Sequence, residues 1–201
     1  MRNGMTSTVR RAACVAACAA LALTATACDG GKKSRGGGSD GGSSTQQDEK
    51  PKVLKLGQPA PEPQTFSGSK KAEFEVAPTK VTMGEPGDLA DLDNQKTAKG
   101  KVPAWIYVKA KQVEGGTTKK PMIMSDFGAK AGGASAKRLI LLMGGLKATP
   151  KDCVDDDSVT WTKGKTATVC QVYLVPQGKK IDEVLLSRGF TAEPQRWAVN
   201  K

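Results

Sequence analysis

The stretch AWIYVKAKQVE, Ala104–Glu114, is the part of the sequence that decides the fold. Ile106, Val108 and Ala110 recur at every second position, and bulky or charged residues lie between them. This period of two is the period of a β-strand that buries one face. A Gly-Gly-Thr turn signal follows at once. The stretch therefore predicts a strand that ends in a turn.

Four further stretches extend this pattern along the chain. AEFEVAP (Ala72–Pro78), PMIMSDF (Pro121–Phe127) and TATVCQVYLVP (Thr166–Pro176) each predict a strand. Pro78 interrupts the first of them and indicates a bulge or the start of a new strand. IDEVLLSRGF (Ile181–Phe190) fits a helix and a strand equally well. Several short strands separated by turn signals predict an all-β protein, either a sandwich or a barrel.

Residues 1–27 have the organisation of a secretory signal peptide. Arg2 and the pair Arg10–Arg11 supply a positive start, and a short run of small apolar residues follows them. The run is too short and too weakly apolar for a permanent membrane span. It ends in Ala25–Cys28, ATAC, which is similar to a bacterial lipobox although the first position is not leucine. Cleavage is expected just before Cys28.

The cysteines indicate what Cys28 does. Of the five in the chain, Cys14 and Cys18 leave with the signal peptide, while Cys153 and Cys170 remain in the folded part and can pair. An unpaired thiol in an exported protein needs an explanation, and lipidation of Cys28 supplies one. A diacylglycerol would hold the protein stably at the extracytoplasmic face of the membrane. A secreted protein with an incidental cysteine is the alternative.

Residues 28–52 predict a tether, and residues 53–201 predict one domain. The tether is rich in Gly and Ser and contains no large apolar side chain, so we expect it to be disordered, with an end-to-end distance of roughly 25–30 Å. The chain carries a net charge of +11. Its lysines are scattered, and export argues against nucleic acid, so we expect attraction to anionic components of the cell envelope.

The chain contains no histidine, which excludes catalytic triads and metal sites that depend on histidine. Ser67–Lys70 has the S-x-x-K spacing, but the partner motifs of penicillin-binding enzymes are missing. Paired carboxylates would need a cleft with aromatic platforms, and the chain has few aromatic residues. We therefore expect no enzyme and no cofactor. An envelope hydrolase that uses carboxylates remains the alternative.

Two metal hypotheses also arise from the sequence. Asp152 and Asp155–Asp157 offer oxygens to calcium, although the D-x-D-x-D-G pattern is absent and a solvated acidic loop is the simpler interpretation. Met122, Met124 and Met143 offer thioethers to copper, but exported copper carriers usually add histidine. Met122 and Met124 would share one face of the predicted strand, so packing in the core is the preferred interpretation. We predict no metal site, and a secreted calcium or copper carrier remains an alternative.

The segment between Cys153 and Cys170 predicts a hairpin closed by a structural disulfide. Val159–Trp161 would lead out, Lys163–Lys165 would form the turn, and Thr166 would begin the return strand. A bridge across a loop of this size contributes about 3 kcal/mol, mostly by restricting the unfolded chain. No C-x-x-C pair points to a redox role.

The order of several motifs resembles that of a known family. They are LKLGQPAP with Phe66 shortly after it, FEVAPTKV, AWIYVKAKQVEGG, VCQVYLVPQGKKIDEVLLSRG and RWAV. This order is similar to that in exported Gram-positive lipoproteins with a telokin-like domain (DUF4352). In the present chain, the positions of that family's motifs are occupied by Tyr107–Val108, Val175–Gly178 and Trp197. Gln112–Glu114 and Tyr173 depart from the family pattern. The resemblance implies an immunoglobulin-like (Ig-like) β-sandwich without catalytic residues.

The sequence thus predicts a lipid-anchored, noncatalytic Ig-like module outside the cytoplasmic membrane. Its partner would be an envelope protein, an anionic wall polymer or a small ligand. Trp105 and Tyr107 lie on the face of their strand opposite Ile106, and exposed aromatics of this kind can recruit partners. The competing expectation is that another segment of the chain covers both side chains.

Overall fold

The computed structural model describes residues 52–92, 94–140 and 146–199. The predicted signal peptide, Cys28 and all of the tether except Lys52 lie outside this part of the chain, so they remain predictions. Met143 also lies outside it. Within the described residues, no helix is long and apolar enough to cross a membrane.

Strands dominate the domain. They are β1 (Leu54–Lys55), β2 (Gln64–Thr65), β3 (Glu73–Met83), β4 (Lys101–Glu114), β5 (Thr118–Lys119), β6 (Phe127–Ala131), β7 (Ala134–Ser135), β8 (Lys137–Arg138), β9 (Thr160–Trp161), β10 (Thr166–Pro176), β11 (Ile181–Leu186) and β12 (Gln195–Ala198). Short 3-10 helices cover Pro86–Leu89, Ile123–Asp126 and Asp156–Ser158, and α1 covers Gln95–Ala98.

These strands form two five-stranded sheets and one two-stranded sheet. The first sheet has the order β1-β12-β11-β6-β7, and the second has the order β2-β3-β4-β10-β8. All pairs in these two sheets are antiparallel except β1 with β12, which run parallel. The third sheet pairs β5 with β9.

The alternation in β4 produces the core between the two large sheets. Ile106, Val108 and Ala110 are fully buried there. They belong to one apolar cluster with Leu186 and Trp197 from the first sheet. Removing this apolar surface from water is the main favourable contribution to such a fold. The all-β sandwich predicted from the sequence is therefore confirmed.

The expected irregularity at Pro78 is a bulge within one long strand. The pairing of β3 with β4 changes register between Pro78 and Lys80, and the strand continues to Met83. On its other side, Pro78 meets only a loop, whose Gly57 N–H donates to the Pro78 carbonyl at 2.7 Å. Because proline has no N–H to offer a ladder, this position near a sheet edge accommodates it.

Two of the other predicted elements had different outcomes. The ambiguous stretch at Ile181 is a strand, β11, which pairs with β6 and β12. The strand predicted over Pro121–Phe127 is wrong, because Ile123–Asp126 forms a 3-10 helix and only Phe127 joins β6. Met122 adopts a left-handed backbone conformation, with φ at 47°, which is incompatible with an extended strand.

Cys153 and Cys170 form a disulfide, with their Cα atoms 5.1 Å apart. The hairpin predicted inside this loop is wrong in one respect, because β9 pairs with β5 and not with β10. The reason is Trp161, which is fully buried and meets Phe74 edge to face with ring centroids 5.3 Å apart. This aromatic contact holds β9 against the sandwich core instead of beside the return strand.

Candidate functional site

The outer face of the second sheet carries a second apolar cluster. Trp105 and Tyr107 of β4 pack there beside Cys170 and Val172 of β10. The segment with the first 3-10 helix and α1 covers this face through Leu89 and Ala98, and Leu139 and Leu146 complete the cluster. Both aromatic side chains are only 2% exposed. Trp105 and Tyr107 are therefore covered, as the competing expectation held, and they offer partners no exposed surface.

A groove of about 650 Å³ opens beside this cluster. Its lining comes from β4, the second 3-10 helix, the stretch after Lys137, the acidic loop and β10. The lining residues are Trp105, Met122, Met124, Ser125, Arg138, Leu139, Ile140, Thr149, Cys153, Asp155, Asp156, Asp157, Cys170, Gln171 and Val172. Residues that the sequence suggested for separate roles thus meet at one place. We call it the disulfide groove.

The disulfide fixes one wall of the groove to β10. Next to it, the Cys170 N–H donates to the Val154 carbonyl at 2.8 Å, which holds the acidic loop against the strand. On the other wall, the Leu139 N–H donates to the Val172 carbonyl at 3.0 Å, and Gln171 Nε2 donates to the Leu139 carbonyl at 2.7 Å. Backbone and covalent bonds therefore hold both walls.

The floor of the groove depends on Met124. Its backbone N–H donates to Asp156 Oδ2 at 2.7 Å, and its carbonyl accepts a hydrogen bond from Arg138 Nη1 at 3.1 Å. Burial raises the pKa of the Asp156 carboxyl, and the neighbouring charges of Asp157 and Asp155 raise it further. The Asp156 carboxylate thus holds the 3-10 helix in position through its hydrogen bond with the Met124 N–H.

The rim of the groove carries both apolar and acidic side chains. Met122 is 49% exposed and Ile140 is 66% exposed. Asp155 and Asp157 are exposed as well, and the Asp157 carboxylate lies 4.0 Å from the Lys120 ammonium. Such a rim suits a ligand that carries both apolar and cationic groups.

Trp105 has a buried polar atom without a partner. Its indole Nε1 donates to no acceptor among the described residues. The six-membered ring is held at Gly84, where an added Cβ would lie 2.7 Å from Cζ3. A buried donor without an acceptor is unfavourable by roughly 1–3 kcal/mol.

A charged cluster lies on the other side of the Cys153 loop. Lys80 Nζ donates to Asp152 Oδ2 at 2.7 Å and lies 3.9 Å from the centre of the Tyr107 ring. The Tyr107 hydroxyl donates to Asp152 Oδ1 at 2.9 Å. The hydrogen bond from Lys80 lowers the pKa of Asp152, and the reciprocal bond raises the pKa of Lys80. Burial, followed by the bond to Asp152, raises the pKa of Tyr107.

The metal hypotheses gain no support from the described residues. Within them, no group of three or more His, Cys, Asp or Glu side chains could hold a metal ion. Asp152 pairs with Lys80, Asp156 accepts the Met124 N–H, and the Asp157 carboxylate lies 4.0 Å from the Lys120 ammonium. The aspartates therefore serve separate partners.

Neither the methionines nor the serine motif forms a site of the expected kind. Met122 is exposed on the groove rim, whereas Met124 is buried in the sandwich core, so they do not share one strand face. In the S-x-x-K stretch, Ser67 is exposed and Ser69 is buried in a turn. No hydrogen bond between Ser67 and Lys70 occurs among the described residues.

Among the comparisons with known proteins, only solved structures show a likeness to this chain. No protein-family model matches the chain, and no curated protein matches it. Among solved structures, a candidate lipoprotein from Bacillus subtilis is 14% identical, with a TM-score of 0.42, and the match covers 69% of this chain and 39% of that one. This chain therefore spans well under half of the Bacillus chain.

Two other solved structures show a similar degree of likeness. A candidate lipoprotein from Staphylococcus aureus is 13% identical, with a TM-score of 0.41, over 68% of this chain and 92% of that one. An uncharacterised β-sandwich protein from Clostridium difficile is 12% identical, with a TM-score of 0.38, over 76% of this chain and 97% of that one. Because the identities and TM-scores are this low, the predicted telokin-like family stays a prediction.

Sequence reasoning missed the disulfide groove itself. Its walls come from β4, β10, the segment after β8 and the acidic loop, which are far apart in the sequence. The one available signal was that Met122 and the aspartates each lacked a complete motif of their own.

Proposed function

We propose that this protein is an extracytoplasmic lipoprotein, held to the membrane through Cys28, whose noncatalytic sandwich binds a segment of an envelope protein in the disulfide groove. The observation that carries this proposal is the rim of the disulfide groove, where the exposed side chains of Met122 and Ile140 and the exposed carboxylates of Asp155 and Asp157 line one opening.

The rim of the groove indicates the chemistry of that segment. Met122 and Ile140 offer exposed apolar surface, while Asp155 and Asp157 offer negative charge on the same rim. A segment with a bulky apolar residue next to Lys or Arg complements both. An anionic wall polymer, the other partner class that the sequence suggests, would meet repulsion from these aspartates.

A noncatalytic role is supported by the acids and bases on this side of the sandwich. Tyrosine or lysine nucleophiles need a lowered pKa, whereas the pKa values of Tyr107 and Lys80 are raised. The carboxylates that line the groove all come from Asp155–Asp157 on one turn, so they do not face each other across the groove as in glycoside hydrolases. The proposal therefore contains no reaction.

Lipid attachment is supported by the sequence alone, through the ATAC motif and the odd cysteine. Its test is mass spectrometry of the mature protein from its native host. We expect a chain that begins at Cys28 and carries diacylglycerol mass on that residue. A bare cysteine, or a different first residue, would refute membrane attachment through this site without touching the groove.

Site-specific photocrosslinking in intact cells tests the groove. A photoreactive residue at Met122 should give a discrete adduct with an envelope protein, and the same residue at Val53, which is 44% exposed and outside the groove, should not. Replacing Asp155 and Asp157 by Asn should weaken the Met122 adduct several-fold by removing attraction to the cationic residue. Equal adducts at Met122 and Val53 would contradict a groove-specific partner.

A further inference from the structure

We infer that one end of the sandwich docks onto anionic lipid headgroups of the membrane, with Phe190 inserted among them. We call this surface the tether end; it comprises Lys52, the turn Phe66–Ala72, the loop Gly115–Met122 and the loop Ser187–Phe190. The inference rests on the proposed function in taking the domain to be held at a membrane through residues 28–52. It concerns a surface that adjoins the disulfide groove at Met122 and at the Lys120–Asp157 contact.

The chain reaches the domain at this end. Gln195 Nε2 donates to the Lys52 carbonyl at 2.7 Å, so Lys52 lies level with the first residue of β12. Gln195 in turn pairs with Leu186, the last residue of β11. With a predicted tether of only about 25–30 Å, the end of the domain that Lys52 occupies is the end nearest the membrane on average.

Phe190 lies in the loop that follows Leu186, and its side chain is fully exposed. Arg188 is exposed two residues before it. A single exposed apolar side chain is common on protein surfaces, so Phe190 alone would indicate nothing. An exposed aromatic next to a basic residue at the membrane-proximal end is different, because aromatic rings are stabilised among headgroups.

Two interlocked loops place lysines on the same end. Thr118 Oγ1 donates to the Gly68 carbonyl at 3.3 Å, and a Cβ on Gly68 would come within 2.6 Å of the Lys120 carbonyl oxygen. Lys70, Lys71 and Lys120 all have positive φ, at 50°, 68° and 55°. Each would be relaxed as glycine. Strain of this kind, kept at lysine positions, points to a use for the side chains.

The Phe190 loop and the lysine loops adjoin each other. Ser187–Phe190 line a shallow depression together with Gln64 and Thr65, and Thr65 leads directly into the Phe66–Ala72 turn. The Ser187 N–H also donates to the Asp126 carbonyl at 2.9 Å, just after the second lysine loop. The aromatic and the lysines therefore belong to one continuous surface.

Acids at the tether end limit how strongly charge alone can act. Glu62 and Asp126 line the depression beside Phe190, and Asp157 lies 4.0 Å from Lys120. Electrostatic attraction would therefore be modest and strongly reduced by salt. Stable docking then needs the apolar insertion of Phe190 as well as the lysines, in the same way that lipid anchoring needs two signals.

Vesicle binding by the mature chain, residues 28–201, made without its lipid, tests this inference. The probes are vesicles of phosphatidylcholine with a minority of phosphatidylglycerol, and vesicles of phosphatidylcholine alone, at low salt and at about 0.15 M salt. We expect binding to the anionic vesicles only. Phe190→Ser, and separately the quadruple change of Lys70, Lys71, Lys119 and Lys120 to Gln, should each reduce it about tenfold or more.

A matched control removes the same charge from the opposite end. The Gln177 N–H donates to the Gly100 carbonyl at 2.9 Å, at the end of the 14-residue strand β4 that is opposite Glu114 and the lysine loops. The control variant changes the exposed lysines of that end to Gln; they are Lys99, Lys137, Lys179 and Lys180. It should bind anionic vesicles like the wild type, and circular dichroism should show that all variants are folded.

The outcomes separate this inference from the proposed function. Equal losses in the two lysine variants, or no binding of the wild type to anionic vesicles, would overturn docking through the tether end. Binding to inorganic polyphosphate without binding to vesicles would overturn the assignment to lipid headgroups. Because this chain lacks lipid, none of these results depends on whether Cys28 is acylated, which mass spectrometry of the native protein decides.

Discussion

The backbone N–H of Met124 and the carboxylate of Asp156 form a hydrogen bond of 2.7 Å between two segments that are 32 residues apart. It fastens the acidic loop to the 3-10 helix that begins at Ile123. The bond gives the acidic loop a direct contact with the first turn of this short helix. It also determines the shape of the groove floor, since Arg138 holds the carbonyl of the same residue.

Two substitutions of Asp156 should therefore differ in their effect on the stability of the protein. Asp156→Ala removes the acceptor for the Met124 N–H and should destabilise the protein by about 1–3 kcal/mol. Asp156→Asn keeps an acceptor oxygen and removes a carboxyl whose pKa burial raises. Its stability at neutral pH should equal or exceed that of the wild type, as measured by urea unfolding.

The pH dependence of the stability provides a separate test of the raised pKa of Asp156. A carboxyl with a raised pKa in the folded state binds more protons folded than unfolded. Its contribution to stability is therefore complete below the unfolded pKa and is lost as the pH rises through the folded pKa. Asp156→Asn should remove this loss from a series of melting temperatures. An Asn variant that is as unstable as the Ala variant would contradict the assigned role.

Removing the disulfide should lower the free energy of unfolding by about 3 kcal/mol, because the bridge closes a loop with a sequence separation of 17. The test compares Cys153→Ala/Cys170→Ala with the wild type in urea. Reducing agent should shift the wild type to the stability of the double variant. Cys28→Ala is the control and should change nothing; a comparable loss in that control would rule out the Cys153–Cys170 bridge as the cause.

Trp161 should be among the most sensitive positions in the chain. It is fully buried against Phe74, so Trp161→Ala should cost about 3–5 kcal/mol through a large cavity. Trp161→Phe should cost less, which keeps the test informative if the Ala variant does not fold. Phe190→Ala removes a fully exposed aromatic and should stay within about 0.5 kcal/mol of the wild type. Similar losses at both positions would show that the burial assigned to Trp161 is incorrect.

Gly84→Ala should disturb the position of Trp105. The new Cβ would lie 2.5 Å from Asp88 Oδ2, 2.7 Å from Trp105 Cζ3 and 2.8 Å from Pro103 Cγ, so we expect a loss of about 1–3 kcal/mol from overpacking. Gly87→Ala is the matched control, because a Cβ there meets nothing within 4 Å. Thermal melting measures both. If the two substitutions behave alike, the close approach of Gly84 to the indole ring is absent.

The Lys80–Asp152 pair should make stability fall in acid. The pKa of Asp152 is lowered in the folded state, chiefly by the hydrogen bond from Lys80. Its contribution is therefore present above the unfolded pKa and lost as the pH falls through the folded pKa. Asp152→Asn should reduce the fall of the melting temperature at acid pH. Asp155→Asn, at an exposed carboxylate outside the pair, is the control and should reduce that fall less. An unchanged fall in Asp152→Asn would show that the pair is not formed in solution.

Local pattern was sufficient where a strand depended on its own residues. The alternation at Ile106, Val108 and Ala110 predicted β4, and Thr166–Pro176 is β10 with the expected limits. Pairing of Cys153 with Cys170 followed because the other cysteines had other assignments. In each case neighbouring residues or simple elimination carried the information.

Local pattern failed where the deciding partner was distant in sequence. Met122 and Met124 were expected on one strand face, but a left-handed Met122 and the carboxylate of Asp156 produce a 3-10 helix. The hairpin expected before Thr166 did not form because Trp161 packs on Phe74. Neither interaction has a signature in the short stretches that it reorganises.

By itself, the sequence determined the all-β class, the predicted export signal and tether, and the exclusion of histidine chemistry, since these depend on composition and short-range periodicity. Only the tertiary structure decided that Trp105 is covered, that its N–H lacks an acceptor among the described residues, and that a groove opens beside it. The physical reason is that burial and hydrogen-bond satisfaction are set by whatever the rest of the chain brings to a residue. The residue's own neighbours in sequence do not specify them.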